Sequence, residues 1–374
     1  MMSLTDILEQ FAYIANNPNA ILKKYIEEGK DVIGCFPIYT PKPIIDAAGA
    51  VPMGLWGGRI TPTFAGKYSP VFTCSIMRSC LELGMTGRYD GLKAVIMPIL
   101  CDTFRGMSSS WRAGVTDIPL IALVHPQNRT DLGAQDFLAQ EYLSVKLRLE
   151  KILNREITDE SLHESIKKYN YQNALVMKFS KLALNHLDVI KPLVRHYILK
   201  SAQFISVDEH IRLMENLIEE LEKLPEHVWS GKRAYFIGIT AEPDELLQLF
   251  DKYNIAIVGD NLAQESRQFR TDYEICETPF WSLSSQWMHI EGCSTVHDEN
   301  ADMLEKFIIK EAKECAADSV VDCLMRFCDV EEYDYPDIAK CCEEEGLYCL
   351  CLEIDQSSED NGQTLTKIQS YSEL

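Results

Sequence analysis

Short apolar runs bounded by glycine, proline or charge alternate along the chain with segments at helical spacing, and the rhythm occurs twice. Residues 31–36 read as a strand, 42–48 as a short helix closed by Gly49, and 51–56 as the next strand, stopped by Gly57-Gly58. The nearly continuous apolar runs at 94–100 and 119–124 have no polar face, which predicts strands covered on both sides and connected in parallel. From about 136 to 224 the pattern is helical throughout, with no proline between Pro126 and Pro192. At Lys232 the alternation returns: 234–239 a strand, 243–253 a helix, 255–258 a strand ending at Gly259-Asp260, then 319–327 and 347–354 as further strands. The expected fold is α/β, with two Rossmann-like domains whose parallel sheets face a cleft and are joined by a helical segment. The expected domains are 1–135 with an N-terminal helix, a helical insert or bridge at 136–230, and 231–374.

The two halves repeat the same order of strand, helix, strand and glycine. Cys74 lies eighteen residues beyond Trp56, and Cys276 eighteen beyond Val258, a hint of duplication. A firmer match comes from two apolar runs that each deliver a Cys-Asp pair, Cys101-Asp102 and Cys328-Asp329. In open parallel sheets ligands gather beyond the carboxyl ends of the strands, so facing halves would bring both thiols to the mouth of one cleft.

Composition narrows the chemistry. A formal net charge of −21 would repel nucleic acid and anionic membranes. The N-terminus lacks a basic start followed by an apolar core, and no run reaches membrane-spanning length, so a soluble, cytoplasmic protein is expected. There, thirteen cysteines would stay reduced, which favours a metal or thiolate role over a disulfide framework.

Thiolates at strand ends suit soft metals, an iron–sulfur cluster or zinc, against the commoner use of a buried cysteine as a small apolar residue. With no Cys-x-x-Cys and no paired histidines, structural zinc is disfavoured, and so is a thiol redox enzyme with a resolving partner. Cys341, Cys342, Cys349 and Cys351 read as core, the last two sharing one side of a strand; Cys80, Cys315 and Cys323 read likewise, and Cys293 stays open.

The stretches GCFPIYTPKPIIDAAGAVP, AVIMPILCDTFRGM, FCDVEEYDYP and IDQSSEDNGQTLTKIQSYSE resemble the 2-hydroxyacyl-CoA dehydratase family, which also includes benzoyl-CoA reductase subunits. The similarity spans nearly the whole chain, and within the family it is greatest to β subunits. The resemblance implies a heterodimer with an α subunit, each subunit carrying a 4Fe-4S cluster held by three cysteines from both α/β domains. Carried onto this chain, those ligands are Cys74, Cys101 and Cys328. Cys74 stands just before a helix beginning near Ser75, whose exposed amides would favour a thiolate. Cys35 ranks below these three for the fourth position, which a non-protein ligand or water could fill.

The implied reaction is loss of water from a 2-hydroxyacyl-CoA to give a 2-enoyl-CoA through a ketyl radical. One electron would come from a separate ATP-dependent iron–sulfur activator, consistent with the lack of a phosphate-binding Gly-x-x-x-x-Gly-Lys-Ser/Thr here. The acyl-CoA would bind mainly on the α subunit, leaving this chain a relay or structural half. Asp102 and Asp329 are read as loop or cap residues rather than catalytic ones, and Arg105, Arg112, Arg326 and His125 as solvated or hydrogen-bonded side chains. Asp355, Gly362, Gln363 and Lys367 match the family tail without an evident chemical role. The alternatives are a benzoyl-CoA reductase-type subunit and a metal-free thiol or interaction protein.

Overall fold

A computed structural model describes residues 2–296, 303–356 and 362–374. It contains two four-stranded, all-parallel sheets. The first comprises β1 (Val32–Cys35), β2 (Val51–Gly54), β3 (Ala94–Pro98) and β4 (Leu120–Leu123), in the order β2-β1-β3-β4. The second comprises β5 (Lys232–Gly238), β6 (Ile255–Leu262), β7 (Ser319–Met325) and β8 (Tyr348–Ile354), in the order β6-β5-β7-β8. The two orders are the same once renumbered, so the repeated rhythm of the sequence is a repeated topology. All residues of β1, β2, β3 and β6 are buried, as continuous apolar runs require when helices cover both faces of a parallel sheet.

In each sheet the chain leaves the first strand toward one edge and returns to build the other, which makes the gap between β1 and β3, and between β5 and β7, a topological switch point. The helical stretch between the sheets contains Ala134–Leu153, Asp159–Leu182, Pro192–Ser201 and Val207–Leu221, and the N-terminal helix Leu4–Asn16 packs against the last two.

Cross-links fix the halves against each other. Arg129 Nη1 donates to the carbonyls of Trp287 (2.9 Å) and Ile290 (2.6 Å), and Trp287 Nε1 donates to Pro126 O at 2.8 Å. Buried Gln356 donates to Trp56 O at 3.0 Å and to Glu242, while its backbone N–H meets Ser75 Oγ at 3.2 Å. Gln356 belongs to the family tail; residues 357–361 of that tail lie outside the described residues.

One expected boundary differs. β6 does not stop at Gly259-Asp260 but continues to Leu262, with a register shift against β5 between Ala234 and Tyr235. A Cβ on Gly259 would sit 2.9 Å from both the Cys315 sulfur and the Tyr235 ring, so this glycine serves close packing within the strand rather than its end.

Candidate metal centre

Three helices begin with a cysteine at the N-cap: Cys74 before Ser75–Met85, Cys101 before Asp102–Gly114 and Cys328 before Asp329–Glu344. Cys101 follows β3 and Cys328 follows β7, each beside its sheet's switch point. All three line one apolar cavity of about 90 Å³. Pro37 and Ile38 after β1 and Ile239 after β5 also face it, so residues beyond the inner strands of both sheets share its wall. The same three cysteines border a second, larger and more polar cavity of about 730 Å³. They stand between an apolar inner cavity and a polar outer one.

Burial dominates the electrostatics of the three thiols. Burial pushes Cys74 up to about 12, with the N3 amide of Met77 pulling back and Cys101 adding to the rise. Burial likewise raises Cys101 against the amides of Phe104 and Thr103, and lifts Cys328 well above an ordinary thiol, with Glu331, Cys74 and Cys101 contributing. In each case the amide three residues on faces the sulfur, the place where an N-cap side chain normally accepts, yet none closes as a full capping hydrogen bond. The sulfurs keep acceptor capacity for another partner, and three helix N-termini favour negative charge where they meet.

Among the described residues no three His, Cys, Asp or Glu side chains close on a point that would hold a single metal ion. A mononuclear tetrahedral thiolate site needs metal–sulfur distances near ~2.3 Å, whereas a cluster spreads its ligands over several iron atoms. Cys74, Cys101 and Cys328 would offer three soft sulfur donors on the wall of one small apolar chamber, the ligand type that iron–sulfur groups take.

Other sequence expectations sort clearly. Cys35 lies buried in β1 with its thiol toward Ile33 O (3.6 Å), and it lines neither cavity. Cys276, despite its matching interval, sits by Ser282 and His163 and is also absent from both walls. Cys80 and Cys323 are buried core residues, and Cys341, Cys342, Cys349 and Cys315 join the apolar cluster behind β7 and β8. Asp102 is exposed in the first helical turn and pairs with Arg105 at 3.7 Å; Asp329 is likewise an exposed first-turn acid. Both suit the helix dipole. Arg112 donates to Ser108 O, and Arg326 pairs with Glu353 at 3.0 Å. His125 lies by the outer cavity with Nε2 3.2 Å from Tyr142 Oη, and burial lowers its pKa to about 3, so the ring is neutral. Lys367 donates to Cys351 O at 3.0 Å, which ties the terminal helix Gly362–Glu373 to β8.

Two further residues on the inner wall, Arg267 and Glu331, were not singled out by sequence, and Cys293, left open there, also lies on it. Glu331 has a legible signal, since it stands three after Cys328 as Met77 and Phe104 stand three after Cys74 and Cys101. Burial raises its carboxyl to about 7, with Arg267 opposing the rise.

Residues 37–374 match the family described as 2-hydroxyglutaryl-CoA dehydratase, D-component. The chain belongs to this family. Within it, the chain is 38% identical to the lactoyl-CoA dehydratase subunit beta of Anaerotignum propionicum, 36% to the (R)-phenyllactyl-CoA dehydratase beta subunit of Clostridium sporogenes and 33% to the (R)-2-hydroxyglutaryl-CoA dehydratase subunit beta of Acidaminococcus fermentans. Each comparison covers 100% of both chains, so the family likeness extends over both sheets and the helices between them. No described helix is long and apolar enough to cross a membrane.

Proposed function

We propose that this chain is the iron–sulfur β subunit of a heterodimeric (R)-2-hydroxyacyl-CoA dehydratase, with Cys74, Cys101 and Cys328 holding a 4Fe-4S cluster. The observation that carries the reading is the meeting of three helix-capping thiols on one apolar chamber between two switch points, in a chain of the dehydratase family. When bound, the cluster would supply a one-electron site whose potential is set by burial, local charge and hydrogen bonds to sulfur. The chain's own contribution is positional: N3 amides aimed at the sulfurs, an apolar interior that excludes water, and a rigid frame of parallel strands.

The reaction assigned to the complex is elimination of water from a 2-hydroxyacyl-CoA, giving a 2-enoyl-CoA. Its obstacle is a β hydrogen of low acidity. An electron added to the thioester carbonyl gives a ketyl radical, which expels hydroxide and makes that hydrogen acidic; the electron is then recovered. An ATP-dependent activator delivers it, and the acyl-CoA binds mainly on the companion α subunit.

The surface supports a companion at the mouth. Val71 and Phe72, beside Cys74, are 74% and 66% exposed, and Tyr333, on the outer cavity, is 82% exposed. Exposed apolar side chains, two just before Cys74 in the chain and one on the outer cavity, suit a surface that a companion covers. Phe72→Asp with Tyr333→Asp is expected to cut co-purification of the α subunit without loss of folded β subunit; full recovery of the pair would place the contact elsewhere.

The direct test is assay of the anaerobically purified complex with activator and ATP. Loss of 2-hydroxyacyl-CoA with formation of the enoyl thioester is expected, and aromatic acyl-CoA should not be reduced. A colourless, iron-free complex inactive on every 2-hydroxyacyl-CoA tried overturns the assignment.

A further inference from the structure

The inner chamber holds a feature that its role as a cysteine-lined pocket does not require. Of its lining residues only Arg267 is basic, and that side chain is almost completely buried. The guanidinium is clamped: Nη2 donates to Gly238 O (3.0 Å) and Asn261 O (2.6 Å), and Nε donates to Asn261 Oδ1 (3.1 Å). Asn261 is itself buried and anchored by Gly292 O at 2.7 Å, so the fork cannot swing away. Three neutral acceptors hold the cation without cancelling it. Among the described residues the carboxylate paired with it is Glu331 at 3.6 Å, beyond hydrogen-bond distance, and neither Glu331 oxygen has a hydrogen-bond partner among them. A buried cation is costly unless its surroundings favour the charge; here Cys293 and Glu331, both on the wall of the same chamber, favour the charged guanidinium.

We propose that Arg267 is a fixed counter-charge for an anionic group bound by Cys74, Cys101 and Cys328, and that its field raises the reduction potential of that group. This inference rests on the iron–sulfur reading above. Three thiolates around an iron–sulfur core carry net negative charge, and one added electron makes the assembly more negative. A cation held in a dry wall stabilises the reduced form more than the oxidised one, because Coulomb energy there is weakly screened. The redox step is the arrival of one electron from an external low-potential donor; no bond breaks, and no proton leaves Arg267.

The test is a dithionite titration of the purified complex, followed by visible absorption and electron paramagnetic resonance, with iron and sulfide measured first. Arg267→Gln removes the charge. Asn261→Asp keeps the arginine but places a carboxylate between it and Arg270, opposing its field at the cost of the hydrogen bond that Asn261 Nδ2 donates to Gly292 O. Either variant is expected to lower the reduced-to-oxidised ratio at fixed poise by about tenfold, about 59 mV for a one-electron couple. Arg267→Lys, which keeps the charge, should stay near wild type, and the companion subunit's centre gives an unmoved reference. A wild-type potential in whichever of the two charge-cancelling variants retains iron overturns the proposal and leaves the cluster assignment standing. An iron-free wild-type complex removes the assignment itself.

Discussion

Alanine at Cys74, Cys101 or Cys328, introduced singly into the co-expressed complex, is expected to remove about four iron atoms and their sulfide from this subunit. A two-point attachment leaves half the cluster unprotected, and repeating each variant in a Cys293→Ala background excludes substitution by the fourth cysteine on the chamber wall. Dehydration by the complex should fall to background with the iron. Serine variants separate ligation from capping: serine is a better N-cap than cysteine, so the Ser75–Met85, Asp102–Gly114 and Asp329–Glu344 helices should stay formed. A neutral hydroxyl is nonetheless a poor soft-metal ligand, and the iron should still be lost. Cys276→Ala is the control, since Cys276 lines neither cavity, and it should keep full iron content. Acid-labile sulfide and iron analysis of the four proteins decides the matter. Full iron in any one of the three alanine variants strikes that residue from the ligand set.

The parallel sheets were legible because burial on both faces leaves an unbroken apolar run, as at β3 and β7. The Cys-Asp pairs were legible for a related reason: the residue after such a strand lies at the sheet's carboxyl end, where a helix must begin. Cys74 follows no strand, so only the family resemblance pointed to it; the helix cap that fixes its place depends on the chain's path between β2 and β3. The interval shared with Cys276 hinted at the duplication that the two sheets display, but it carries no site, since Cys276 lies by Ser282 and His163 and lines neither cavity. Gly259 was read as a stop since glycine usually ends a strand. Its true constraint is the Tyr235 ring and Cys315 sulfur across the sheet, contacts between residues distant in sequence. Arg267 was hidden, and the spacing of Glu331 from Cys328 passed over, for a deeper reason. Charged residues are exposed by default, and only the assembled chamber shows that these two are buried.

Asp260→Ala is expected to destabilise the protein by roughly 3–5 kcal/mol, the cost of removing one partner from a buried ion pair. Asp260 is a buried residue of β6 whose carboxylate meets the Arg195 guanidinium from the Pro192–Ser201 helix, and both side chains are almost fully enclosed. The carboxylate also accepts the backbone amides of Leu262 at 3.2 Å and Ser266 at 3.0 Å, and so shapes the turn that leads to Arg267. Alanine leaves a buried guanidinium whose Nε already lacks a partner, together with two unpaired amides. Asp260→Asn should fall between wild type and alanine, because its carbonyl oxygen can still accept those amides while the charge is lost. Replacing both partners, Arg195→Met with Asp260→Leu, should recover much of the loss, since no uncompensated charge remains to be buried. Thermal unfolding of the purified complex orders the variants. A double variant no more stable than Asp260→Ala would show that the shape of the Leu262–Ser266 turn, rather than the stranded charge, dominates, and the turn's tie to Arg267 predicts that such a variant also moves the potential of the centre.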